Sequence, residues 1–300
     1  MTEPLEAFKS FVLDPFNAFD IPTREIIATV VGLIISAFRG FCRAYISPPI
    51  EGVMGTFQWL LGVIHPLIFV AGTFLVGWKA ASMKIGLFSA IGLLVLGFMG
   101  VWVQMIFTLS LVLTAVVFSV LLGLPLGILC SRSDRFYRAL RPILDIMQTT
   151  PPFVYLIPAV MLFGIGDVPG LIATIVFAIP PMIRLTNLGI RQVGAEYMEA
   201  ARAFGSTDTQ ILVKVQIPLA LPTIMAGLNQ TIMLSLSMAV IAAIIGAGGL
   251  GFEVFAGLQR LNIGQAFVGG IGIVILAMIL DRITQGAGEK MPGTRRRGMG

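Results

Sequence analysis

The residues whose types and spacing could do work gather in one stretch, AEYMEAARAFGSTDTQILVKVQIPLALP, residues 195–222. Its chemistry is recognition rather than covalent catalysis. Strong helix formers run from Ala195 to Phe204 and meet Gly205, the residue type best able to take the left-handed conformation that ends a helix. Thr207 with Gln210 three positions later is a capping-box pattern, so a second helix is expected to start there and to lead through Ile217 into Pro218. Small Ala200 and Ala201 allow close approach, and Phe204 offers an apolar knob, so the unit is shaped to dock in a groove of another protein. A solvated connector of two short helices fits the same residues equally well.

Other reactive groups are sparse. None of the five lysines follows a glycine as a phosphate-binding loop requires, so this chain carries no nucleotide-driven motor. His65 stands alone beside Pro66, without a second ligand-type residue nearby. Cys42 and Cys130 are far apart and match no metal or redox spacing. No charged side chain falls between Lys214 and Glu253, and the other apolar runs carry charge only near their ends. A carrier that harvests an ion gradient needs ionisable groups at mid-depth, so the energy source lies elsewhere or the protein is a passive pore.

The elements that position the loop are membrane spans. Hydrophobic residues make up 57% of the 300, charged residues 12%, and mean hydropathy is +0.95, which no soluble domain of this length tolerates on its surface. The apolar runs lack the alternation of an outer-membrane barrel, so an all-α polytopic bundle is expected. Seven spans are expected, near 60–78, 85–103, 105–130, 143–164, 170–187, 218–246 and 264–281. The first twenty residues carry Glu3, Glu6, Lys9, Asp14 and Asp20 and do not resemble a cleavable signal. EIIATVVGLIISAF, residues 25–38, is short for a span and is expected to lie at the interface as an amphipathic helix, an eighth span being the alternative, with the mixed run 52–64 after it. Trp59, Trp78 and Trp102 near span ends fit interfacial anchoring. Glycine and proline inside LLGLPLGIL (121–129) and FAIPPMI (177–183) allow close helix contact and kinks.

Charge orients the bundle. With the loop placed in the cytoplasm, 15 basic residues fall on that side and only Arg260 on the other, which satisfies the positive-inside rule and removes the case for nucleic acid as the partner. The C-terminus is then cytoplasmic.

With these residues in place, the loop resembles the signature E-A-A-x3-G-x9-I-x-L-P of permease subunits of bacterial ABC importers, carried by Glu199, Ala200, Ala201, Gly205, Val215, Ile217 and Pro218, with Val for the first Ile and Ile for Leu. MQTTPPFVYLIPAVMLFGIGDVPG (147–170), IPPMIRLTNLGI (179–190), NQTIMLSLSMAVIAAIIGAGGLG (229–251) and VGGIGIVILAMILDRITQ (268–285) resemble the glycine betaine/proline betaine branch. The resemblance implies a type I importer permease fold: an N-terminal segment over 1–59, two accessory spans over 60–103, a five-helix core over 104–285 with the signature loop near 188–217, and a basic tail over 286–300. It implies a bacterial inner-membrane protein paired with a second permease copy, ATPase subunits that grip Glu199, Ala200, Ala201, Phe204 and Gly205, and an extracytoplasmic binding protein. ATP and Mg would be bound in the partner ATPase, with no cofactor on this chain. The solute would be glycine betaine or a related quaternary ammonium osmolyte, passing Phe153, Tyr155, Asn229, Gln230, Met233 and Ser237. Choline, carnitine, proline or another amino acid is the alternative solute. A gradient-driven carrier or channel, or a scaffold that moves nothing, are the alternatives outside the class.

Overall fold

A computed structural model describes residues 22–290, and every regular element in that range is helical. The charges of the first twenty residues and Arg295 to Arg297 lie outside the described residues.

The chain begins with α1 (Thr23–Phe41), which passes through a π turn (Cys42–Ile46) directly into α2 (Ser47–Val63). These form one continuous 41-residue run, long and apolar enough to cross a membrane. The sequence reading divides it near residue 39, but Arg39 and Arg43 do not end the helix. They donate to the carbonyls of Met161 and Leu162 at the C-terminus of another helix, where a cation is favoured. Helices α3 (Pro66–Ala80) and α4 (Met83–Phe98) form a short apolar hairpin. His65 caps α3, its Nδ1 accepting from the Leu67 N–H at 3.3 Å, which accounts for the lone histidine. Trp102 packs edge-on against Phe69, whereas Trp59 and Trp78 are exposed near helix ends.

Helix α5 (Trp102–Arg132) is followed by α6 (Asp134–Thr149) and α7 (Pro152–Phe163). The single span expected over 143–164 is broken here by 101°. Thr150 and Pro151 are extended, and a residue before proline is driven out of helical geometry. Helix α8 (Asp167–Arg191) leads to the loop helices α9 (Ala195–Ala203) and α10 (Asp208–Ile211). A π turn (Leu212–Gln216), α11 (Ile217–Ala242) and a 3-10 turn (Ala243–Ile245) follow without interruption. Helices α12 (Leu250–Gln259) and α13 (Ile263–Glu289) close the chain. Among the described residues, five runs, or six if the bent pair counts as one, are long and apolar enough to span, and the α3–α4 hairpin adds two shorter helices.

Helices α5, α8 and α11 form the centre. Leu93, Leu96, Met105, Leu109, Val112, Leu236, Leu250 and Leu276 draw α4, α5, α11, α12 and α13 into one buried cluster. A second cluster, Met182, Ile190, Leu212, Ala220 and Ile224, anchors the base of the loop to α8 and α11.

Candidate functional site

The loop is built by two caps in succession. Helix α9 ends at Phe204, and Gly205 takes φ +79°, the left-handed conformation required of it. The Gly205 N–H donates to the Arg202 carbonyl at 2.9 Å and the Ser206 N–H to the Ala201 carbonyl at 3.0 Å. These two bonds are the paired pattern of a Schellman termination. One residue on, the Thr207 N–H donates to Gln210 Oε1 at 2.9 Å, and the Gln210 N–H donates back to Thr207 Oγ1 at 3.4 Å. The turn between the helices is therefore held by backbone geometry and short-range bonds rather than by burial.

The expected docking residues occupy a single unit. Glu199, Ala200 and Gly205 are exposed, Ala201 is half-buried, and Phe204 is 91% exposed. An aromatic side chain left that bare at the tip of the turn is apolar surface without a cover among the described residues. Val215, Ile217 and Pro218 lie at the base of the unit, half-buried, and Ile217 packs against the Met182–Ile224 cluster. Gln216 Nε2 reaches Met198 Sδ at 3.3 Å and ties α9 to the π turn.

Arg191 is a residue whose role the sequence reading missed, because there it counts only as a positive charge. Its guanidinium pairs with Asp134 at 2.6 Å, donates to the Cys130 carbonyl at 2.7 Å and to Asn187 Oδ1 at 2.8 Å, and stands over the Tyr137 ring at 5.8 Å. One planar fork thus joins the ends of α5, α6 and α8 four residues before α9 begins.

The residues expected along the solute path separate into two kinds. Gln230, Met233 and Ser237 follow one another at helical spacing along α11, with Gln230 and Ser237 exposed, while Phe153 is 55% exposed in the first turn of α7. Tyr155 instead turns inward, its hydroxyl donating to the Met147 carbonyl at 2.5 Å and its ring edge-on to Phe177. Asn229 is likewise committed, donating to Asp281 Oδ1 at 2.8 Å and accepting from Thr284 Oγ1 at 2.5 Å.

That carboxylate closes the apolar run expected over 264–281. Helix α13 continues to Glu289, which places Asp281 well within it, and Glu51 lies inside the run formed by α1 and α2. The far ends of α8 and α11 meet at another irregular point. Gly246 has φ +89°, the Gly166 N–H donates to the Ile245 carbonyl at 2.9 Å, and the Gly248 N–H donates to Asp167 Oδ1 at 3.0 Å. Thr108 Oγ1, nearly two turns inside α5, accepts from the Leu250 N–H at 2.8 Å, so this break is set below the end of the bundle.

Residues 123–287 match the family described as binding-protein-dependent transport system inner membrane component. The chain belongs to that family. Among its relatives is a glycine betaine/proline betaine transport system permease protein of Escherichia coli (strain K12), 49% identical over 288 residues, which cover 95% of this chain and 81% of that one. A glycine betaine transport system permease protein of Bacillus subtilis (strain 168) is 46% identical over 268 residues, 88% of this chain and 94% of that one. The methionine ABC transporter solved in inward-facing conformations is similar in fold, with a TM-score of 0.52 and 27% identity over 61% of this chain and 90% of that one. Within the family region fall the last third of α5, α6 to α12 and nearly all of α13, the capped loop among them.

Proposed function

We propose that this chain is the membrane permease of an ATP-driven importer for glycine betaine or a closely related quaternary ammonium osmolyte. The observation that carries the reading is the capped loop: a rigid turn with a bare aromatic tip, fused to α11 and carrying Glu199, Ala200, Ala201 and Gly205 in register with the importer signature. The relatives named for glycine betaine, at 46% and 49% identity, support the solute.

On this reading, a cytoplasmic ATPase subunit receives Phe204 and the exposed face of α9. ATP and Mg belong to that subunit, and the permease itself performs no covalent step. A second copy of the chain completes the pathway, and an extracytoplasmic binding protein delivers the solute. The protein sits in the bacterial inner membrane with its C-terminus in the cytoplasm, the five-helix core covers about 104–285, and the segment 60–103 is accessory. Closure of two ATPases would draw two such loops together and switch the bundle between inward-facing and outward-facing states.

Reconstitution with ATPase and binding-protein partners tests the reading. Glycine betaine uptake should require ATP and persist with an uncoupler, while phosphate, sulfate and sugars should not be carried. Uptake that survives ATP depletion and is abolished by an uncoupler would show a gradient-driven carrier instead.

A further inference from the structure

We propose that Ser119 and Thr186 are positioning residues for transport, their hydroxyls reserved for a second arrangement of α5 against α8 in which each finds an acceptor. This rests on the proposed function for the existence of two alternating states. Six of the buried hydroxyls in α5, α8 and α11, those of Thr108, Ser110, Thr114, Thr174, Thr231 and Ser235, donate to the carbonyl four residues back at 2.7–3.0 Å. Ser119 and Thr186, both 0% exposed, are the exceptions, with no partner for either hydroxyl among the described residues. Leaving a buried hydroxyl unpaired destabilises the state that contains it, and such groups are few in folded proteins.

Both exceptions lie on one seam. Ser119, Gly123 and Gly127 recur every four residues and so share a face of α5. A Cβ on Gly123 would stand 3.0 Å from Met182 Cβ, and one on Gly127 would stand 2.5 Å from Thr186 Cβ and 2.9 Å from the Ile183 carbonyl oxygen. That face is packed directly on α8, and the two hydroxyls are sealed from lipid and water. Acceptors are close in sequence. Pro125 in α5 and Pro180 and Pro181 in α8 cannot donate to the carbonyls of Leu121, Val176 and Phe177, so both helices of the seam carry backbone acceptors that lack a helical donor.

The connections of α8 direct movement to this seam. Helices α8 and α11 share the cluster of Met182, Ile190, Leu212, Ala220 and Ile224 at the base of the loop, and at their far ends the Gly166 N–H donates to the Ile245 carbonyl at 2.9 Å. Joined at both ends, they respond together to a push on the loop. The displacement then falls on the face of α8 that meets α5. Arg191 holds the inner ends of α5 and α8 together through the Cys130 carbonyl at 2.7 Å, so the movement is a swing about that pin. A seam used in one arrangement only would be better served by alanine and valine, which fill the same positions without an unpaired group.

The experiment uses the full chain with its ATPase and binding-protein partners. Ser119→Ala and Thr186→Val delete the hydroxyls, while Thr186→Ser keeps one and loses the methyl that lies against Gly127. Three quantities are measured for each: thermal unfolding of the resting permease, the ratio of complex trapped by ATP with vanadate to resting complex, and glycine betaine uptake in vesicles. Thr186→Val should unfold at the parent temperature or above it, yet lower the trapped ratio by about fivefold, with uptake falling alongside. Ser119→Ala should do the same. Thr186→Ser should hold the ratio within about twofold of the parent although it unfolds earlier. A purely structural role does not move the two readouts in opposite directions. Hydroxyl-free variants that lose unfolding temperature and uptake together, or that leave the trapped ratio and uptake unchanged, overturn the proposal. A parent complex that carries no glycine betaine while the ratio still shifts as stated upholds the reserved hydroxyls and sinks the solute assignment. Normal uptake in every variant does the reverse.

Discussion

Thr207 and Gln210 cap each other, each side chain accepting the other's backbone N–H, directly after Gly205 has turned the chain through a left-handed conformation. The two helices of the loop thus hold a fixed angle without any buried core beneath Phe204.

Gly205 is the position where that angle is most easily lost. Space is not the obstacle, since a Cβ there meets nothing within 4 Å. The cost is backbone strain of about 1–2 kcal/mol for a β-branched residue. Gly205→Val should leave membrane insertion normal, weaken retention of the ATPase on purification, and lower solute uptake far more than protein level. Gly205→Asn, which tolerates the left-handed region, should retain most of the uptake. Equal loss in both variants would point to the side chain rather than the backbone.

Ala201 lends its carbonyl to the cap and is half-buried. Ala201→Asp places an unpaired charge in a close contact and should uncouple ATP hydrolysis from uptake. ATPase activity and uptake measured on one preparation provide the check.

Arg191 should not tolerate lysine. An ammonium cannot serve Asp134, Asn187 and the Cys130 carbonyl from one planar group, so Arg191→Lys is expected to cost about 1–2 kcal/mol, moderated by partial exposure. Thermal unfolding in detergent should show the loss, and raised salt should narrow the difference from the parent.

The Asn229 and Asp281 pair gives a second stability test. Asn229→Leu removes a donor to the carboxylate and an acceptor for Thr284, and should destabilise by about 1–3 kcal/mol. Unchanged unfolding would show that Asn229 is free for solute after all.

Orientation is open to direct labelling. A cysteine at Thr207 should react with impermeant reagents only in inside-out vesicles, and one at Leu261, 88% exposed between α12 and α13, only from the outside. Reversed labelling would invert the topology.

Much of this was legible in the sequence because it is local. Gly205 and the Thr207–Gln210 pair announce their geometry within a few residues, and apolar runs of sufficient length announce helices. What escaped depends on partners distant in the chain. Arg39 looks like the end of a helix until Met161 is beside it, and Arg191 looks like an orienting charge until Cys130, Asp134 and Asn187 converge on it. Asp281 closes an apolar stretch that fades before its helix does, and beside the local donor Gln285 it has a partner, Asn229, 52 residues away. The break after Thr149 was hidden by hydropathy, which does not register the stiff extended geometry that Pro151 imposes on Thr150.

The uninterrupted helical run from Asp208 to Ile245 has a mechanical consequence. At 38 residues it is a stiff strut of about 57 Å, reaching from the capped loop to the glycine break at Gly246. A displacement imposed near Phe204 arrives at the far end with little lost to bending, because α-helices resist bending over this length except at identifiable defects. The defects in the run, the π turn Leu212–Gln216 and the interior Pro222, lie toward the driven end, so compliance is concentrated there as a coupling joint, while the left-handed Gly246 ends the run at the other. A push delivered at the loop would thereby reach the glycine break through backbone stiffness, without any relay of side-chain rearrangements in between.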